Sequence, residues 1–164
     1  MLRPVLVVGC VLVVGCALLV QGCDPDAAVF VEPTIESSSI AVTPSGLVTG
    51  VSGSVELNLH LGPRASGPGE VTLGSISITN ADRTQTLVES VGAVPSPSFP
   101  VTVGVDSDVK VTFTLEAEDN LLEADAVDAL CGSGELVYVI VVEDTLRGGS
   151  VTAASEPVAP SGCP

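Results

Sequence analysis

Beyond residue 50 the chain alternates apolar and polar positions in short, well-bounded runs. Val55, Leu57, Leu59 and Leu61 alternate with Glu56, Asn58 and His60. Ile76 and Ile78 alternate with Ser75, Ser77 and Thr79, Val101, Val103 and Val105 repeat the period, and Val109, Val111, Phe113 and Leu115 alternate with Lys110, Thr112, Thr114 and Glu116. A period of two sends successive side chains to opposite faces, so each run predicts a strand with one face in a core and one in water. Turn-forming clusters such as Asn80-Ala81-Asp82-Arg83 separate the runs. Two segments break the rule. Leu136 to Val142 is apolar on both faces, which predicts a central strand covered on both sides. From Asn120 to Leu130, Leu122, Ala126 and Leu130 recur at helical spacing behind Asn120 and Glu123, a capping-box pair, and predict one short helix. Thr145 to Gly149 reads as a turn leading into a last strand, Ser150 to Ser155.

About eight short strands with a single late helix predict an all-β fold, an antiparallel β-sandwich. The pattern over residues 38 to 158 resembles an immunoglobulin-like domain, in which a short helix commonly crosses between the sheets before the penultimate strand, where residues 120 to 130 lie. The Cys, Trp, Cys signature of antibody domains is missing, since the sequence has no Trp. Another barrel or jelly roll fits the same periodicity.

The start of the chain has a different character. Met1-Leu2-Arg3 is followed by an uncharged apolar stretch from Pro4 to Val20, the layout of an export signal. Leu19-Val20-Gln21-Gly22-Cys23 ends it. These residues resemble the lipobox of bacterial lipoproteins, although Gln21 is bulkier than that family's usual residue. Cys10 and Cys16 follow better local matches, but cleavage there leaves either almost no apolar segment or a mature chain that begins with apolar Ala17 to Val20. The resemblance implies a diacylglycerol thioether on Cys23 and an acylated amine, hence an envelope protein held to a membrane by lipid, a stable anchor because several acyl chains act together. The Asp24 that follows resembles an inner-membrane retention signal of enteric bacteria. The expected organisation is a signal peptide over 1–22, a lipidated N-terminus and flexible tether over 23–37, and the sandwich over 38–164. An uncleaved apolar anchor or ordinary secretion is the alternative.

Charge narrows the partners. The 164 residues carry 20 Asp and Glu against 5 Lys and Arg, a formal charge of -15, and every acid lies from Asp24 onward. Such a chain lacks the cationic patches and aromatic platforms that nucleic acids require, so no nucleic-acid partner is expected. Scarce aromatics likewise disfavour a carbohydrate site. His60 is the only histidine and falls on a polar strand face, with no hydrolase motif near it. Gly50 to Gly53 and Gly132 to Gly134 precede strands and read as turns, not phosphate loops. The acidic stretch holding Glu116, Glu118 and Asp119, continued by Glu123, Asp125 and Asp128, is the one candidate for metal chemistry, and it lacks a calcium-loop pattern. The reading that emerges is a non-enzymatic envelope domain, without cofactor or small-molecule substrate, that contacts an unidentified envelope protein. The alternatives are a carbohydrate- or calcium-dependent ligand-binding module and, below it, an unrecognised hydrolase.

With Cys10 and Cys16 in the leader and Cys23 lipidated, Cys131 and Cys163 remain and are expected to form a disulfide, as export to an oxidising compartment permits. A hairpin centred on Arg147 places both at its open end, with Pro157 and Pro160 interrupting the ladder before the bridge.

Overall fold

A computed structural model describes residues 28–45 and 48–163. The elements are β1 (Glu32–Ser45), β2 (Val48–Leu61), β3 (Gly69–Asn80), β4 (Thr86–Val88), β5 (Val94–Ser96), β6 (Val101–Val103), β7 (Ser107–Leu115), β8 (Leu121–Leu122), α1 (Ala124–Gly132), β9 (Leu136–Asp144) and β10 (Gly149–Ala154). They form two antiparallel sheets packed face to face. One runs β1-β2-β7-β5 with β8 added to β2, the other β10-β9-β3-β4 with β6 added to β3. The fold is an all-β sandwich, and its strand order resembles that of immunoglobulin-type domains, with β1, β2, β7 and β5 in one sheet and the C-terminal hairpin β9–β10 beside β3 in the other.

The alternation read from the sequence becomes the core. Val55, Leu57, Leu59 and Leu61 of β2 and Val111 and Phe113 of β7 are fully buried and face Ile78, Ile140 and Val142 of the other sheet. Burying each such side chain contributes roughly 1.5 to 3 kcal/mol relative to leaving it exposed. β9 lies inside its sheet between β10 and β3. Leu136, Tyr138, Ile140 and Val142 fill its inner face, while Val137 is buried and Val139 and Val141 half-buried on the outer face. The Tyr138 hydroxyl donates to the Ser39 carbonyl across the sandwich at 3.1 Å, and burial pushes its ionisation above the usual tyrosine range.

Three expectations are corrected. The tether does not extend to residue 37: β1 begins at Glu32, and Ala28 and Val31 are already buried. β1 is an edge strand whose outward residues Glu32, Thr34 and Glu36 are exposed, it tolerates Pro33, and a bulge between Ile35 and Ser37 breaks its alternation, so its sequence resembles a spacer. The helix starts at Ala124, not Asn120, and its N-cap Glu123 makes no side-chain capping bond. Leu121 and Leu122 instead pair with Gly50 and Thr49 as β8. The hairpin register also shifts by half a step. Asp144 opposes Gly149 and Val139 opposes Ala154, which centres the ladder between Leu146 and Arg147. Beyond Pro157 the isolated bridge of Leu136 with Val158 is centred on Arg147, so the extra residue is absorbed where Pro157 interrupts the strand.

The registers define two ends. The start of β1, the end of β2 and the start of β7 lie together, because Glu32 opposes His60 and Leu61 opposes Ser107. The start of β3 and the β9–β10 turn lie at that same end, since the Val31 N–H donates to the Asp144 carboxylate at 3.0 Å. We call it the entry end. The end of β1, the start of β2, the 116–120 turn and α1 occupy the opposite end, where Gly50 is packed so tightly that a Cβ there would lie 2.1 Å from the Ala117 carbonyl oxygen.

Candidate functional site

Of the expected site residues, Cys23, together with the signal segment 1–22 and residues 24–27, lies outside the described residues. Cys131, in the last turn of α1, and Cys163 form a disulfide with their Cα atoms 5.6 Å apart. Cys163 is brought there by a C-terminal segment that returns along β1: Val42 N–H donates to the Ser161 carbonyl at 2.8 Å and Ser161 N–H to the Ile40 carbonyl at 3.1 Å. Gly162 makes this approach possible, with φ of 74° and the Val42 carbonyl oxygen 2.3 Å from where a Cβ would stand.

Glu116, Glu118 and Asp119 are exposed on the turn after β7. Among the described residues no group of three or more His, Cys, Asp or Glu is placed to hold a metal ion. The turn is organised instead by Asn120, whose buried side chain accepts from Gly92 N–H at 2.7 Å and donates to the Gly92 and Glu116 carbonyls at 2.8 and 2.9 Å. A residue read as a helix cap is a clamp between two loops.

His60 lies on the outer face of the β1-β2-β7-β5 sheet in a row with Glu32 and Asp108. Its Nδ1 is 3.1 Å from Asp108 Oδ1, and because a carboxylate can only accept, Nδ1 carries the proton. Asn58 donates to the same oxygen at 2.9 Å. The Asn58 amide, then the His60 ring, holds the Asp108 carboxyl below its usual range against the opposing cost of desolvation. Asn58 Oδ1 and His60 Nε2 are buried without a hydrogen-bond partner among the described residues. Beside them, Lys110 donates to Glu36 and Glu56, which raises the lysine and lowers Glu36. These are exposed pairs that add little stability. The ring of His60 is engaged by a carboxylate, not by a hydroxyl or thiol that it could activate.

The entry end holds what the sequence did not reveal. Asp144 closes the apolar run of β9, is 1% exposed, and accepts from Val31 N–H through Oδ2 and from Leu146 N–H through Oδ1, both at 3.0 Å. The second bond is an Asx turn, for which Asp before Thr-Leu-Arg-Gly was the available signal. The first joins the lead-in to a residue 113 positions later, which no local pattern encodes. Phe30 lies against the β9–β10 turn with the Arg147 guanidinium 5.1 Å from its ring centroid. The lead-in is thus fixed to the sandwich.

The chain matches no protein-family model, no curated protein and no solved structure. Among the described residues no helix is long and apolar enough to cross a membrane.

Proposed function

We propose that this chain is an exported lipoprotein whose sandwich is a non-enzymatic contact domain for another envelope protein. The carrying observation is the sequence Leu19-Val20-Gln21-Gly22-Cys23 at the end of the uncharged Pro4 to Val20 segment. The Cys131–Cys163 bridge is compatible with the oxidising compartment that export implies. In this reading Cys23 carries the lipid, and the rigid sheets present their faces and loops to the partner.

Metabolic labelling with a clickable fatty acid tests the anchor. Wild type and Cys16→Ala are expected to incorporate label, and Cys23→Ala to accumulate as unlabelled precursor; label retained by Cys23→Ala overturns the assignment. Crosslinking of the intact lipoprotein in its own envelope tests the second half, with a specific protein adduct expected and its absence counting against a contact role.

A further inference from the structure

We infer that the entry end of the sandwich docks directly on the lipid bilayer, so that the domain stands on the membrane with α1 and the 116–120 turn facing away. The inference rests on the lipid-anchor reading and adds to it a surface and an orientation.

Distance is the first support. Only Asp24, Pro25, Asp26 and Ala27 separate Cys23 from Ala28, which is already buried in the fold. Five extended residues reach about 18 Å at most. The lead-in cannot lengthen this tether cheaply, because Val31 is buried and held by Asp144 and Phe30 is stacked beneath Arg147. An anchored chain therefore keeps the entry end at the lipid surface, where even a weak contact is favoured by the high effective concentration of a short tether.

The surface suits that position. Val29, Phe30 and Val105 are 43%, 39% and 38% exposed, and they lie in the lead-in and the β6–β7 turn at this end. Arg64 in the β2–β3 loop and Arg147 in the β9–β10 turn are exposed beside them. Apolar side chains that enter the headgroup zone, flanked by arginines whose stems lie along it, are the components of an interfacial contact. Glu32, Glu70, Asp106, Asp108 and Glu143 are also exposed at this end, and Asp24 and Asp26 lie in the tether, so the contact is carried by the apolar side chains and the arginine stems, not by net charge.

The opposite end is richer still in carboxylates. Glu116, Glu118, Asp119, Glu123, Asp125, Asp128 and Glu135 are all exposed there. Apolar Val48, Val94 and Leu121 are exposed toward that end, 45%, 62% and 53%, but a strand of 14 residues spans roughly 45 Å, so a short tether at the entry end holds them away from the lipid surface.

The test uses the sequence's lack of Trp. Mature lipoprotein carrying Phe30→Trp is reconstituted into phosphatidylcholine–phosphatidylglycerol vesicles with and without brominated lipid, and Leu121→Trp serves as the far-end control. Bromolipid is expected to quench the Phe30→Trp variant several-fold more than the Leu121→Trp variant, and adding Arg147→Glu is expected to lower that quenching where Arg83→Glu does not. Val29→Trp is a second reporter at the same end should Phe30→Trp fold poorly. Equal, weak quenching at both ends of an acylated, vesicle-bound chain overturns docking and leaves the anchor standing. A chain that carries no acyl group and stays out of the vesicles overturns both.

Discussion

Asp108 shows how a single side chain on this sheet acquires its properties from residues far along the chain. Asn58 and His60 bond the same carboxylate oxygen, and the amide is the larger of the two influences that favour its ionised form. A carboxyl held low stabilises the fold above the unfolded-state value and loses that contribution as pH falls through the lowered folded value. Asn58→Ala is therefore expected to move the Asp108 titration upward, toward the ordinary aspartate range, and His60→Ala to move it less; carboxyl-carbon NMR titration reads both, and the reverse order would refute the assignment. Asn120 carries more structural weight. Its replacement by Ala leaves Gly92 and Glu116 backbone groups without the partners seen at 2.7 to 2.9 Å, and a loss of about 1 to 3 kcal/mol is expected in urea denaturation. Asn120→Asp should be worse at neutral pH, since a carboxylate would face two carbonyls, and should recover as acid protonates it. Neither partnership was visible in sequence: His60 read as a lone surface residue because Asp108 is joined to it by strand register alone.

Elements with a strict alternation were legible, and those shaped by their neighbours were not. β2 and β7 followed from hydrophobic spacing because each buries one continuous face, and β9 from a run that is apolar on both faces because it lies inside its sheet. The first half of β1 was lost because it is an edge with a bulge and a proline, conditions that remove the pattern while leaving the pairing. Leu122 supported a helix by its spacing to Ala126 and Leu130, yet the β2 edge at Thr49 and Gly50, paired with β1 on one side and lying beyond the reach of β7 on the other, took Leu121 and Leu122 as β8. The C-terminal hairpin was placed within half a step of its register, and the deviation lies where proline ends the ladder. The disulfide closes a sequence separation of 32, for which chain entropy gives about 3 to 4 kcal/mol. Cys163→Ser paired with Cys131→Ser should lose up to that amount in denaturant titration under oxidising conditions and show no difference from wild type under strong reduction.

At the scale of the molecule, exposed carboxylates stand at both ends, Glu32, Glu70, Asp106, Asp108 and Glu143 beside Arg64 and Arg147 at the entry end and a longer run between Glu116 and Glu135 at the other. The acidic turn lacks a metal-holding group among the described residues, and calcium addition or chelation should leave the melting temperature unchanged; a chelator-induced drop of many degrees would reveal a site built some other way. The C-terminal segment has a further consequence. β1 is made before the other described strands, and it is 14 residues long with one side open to pairing. The backbone that covers that side near Ile40 and Val42 arrives with Ser161, 121 residues after Ile40. The nascent domain therefore carries an uncapped sheet edge until residues 158–163 are made. Rapid β1–β2 closure, or a chaperone, has to shield that edge until the closing thiol emerges, so the vulnerable interval of this protein's life precedes its folded state.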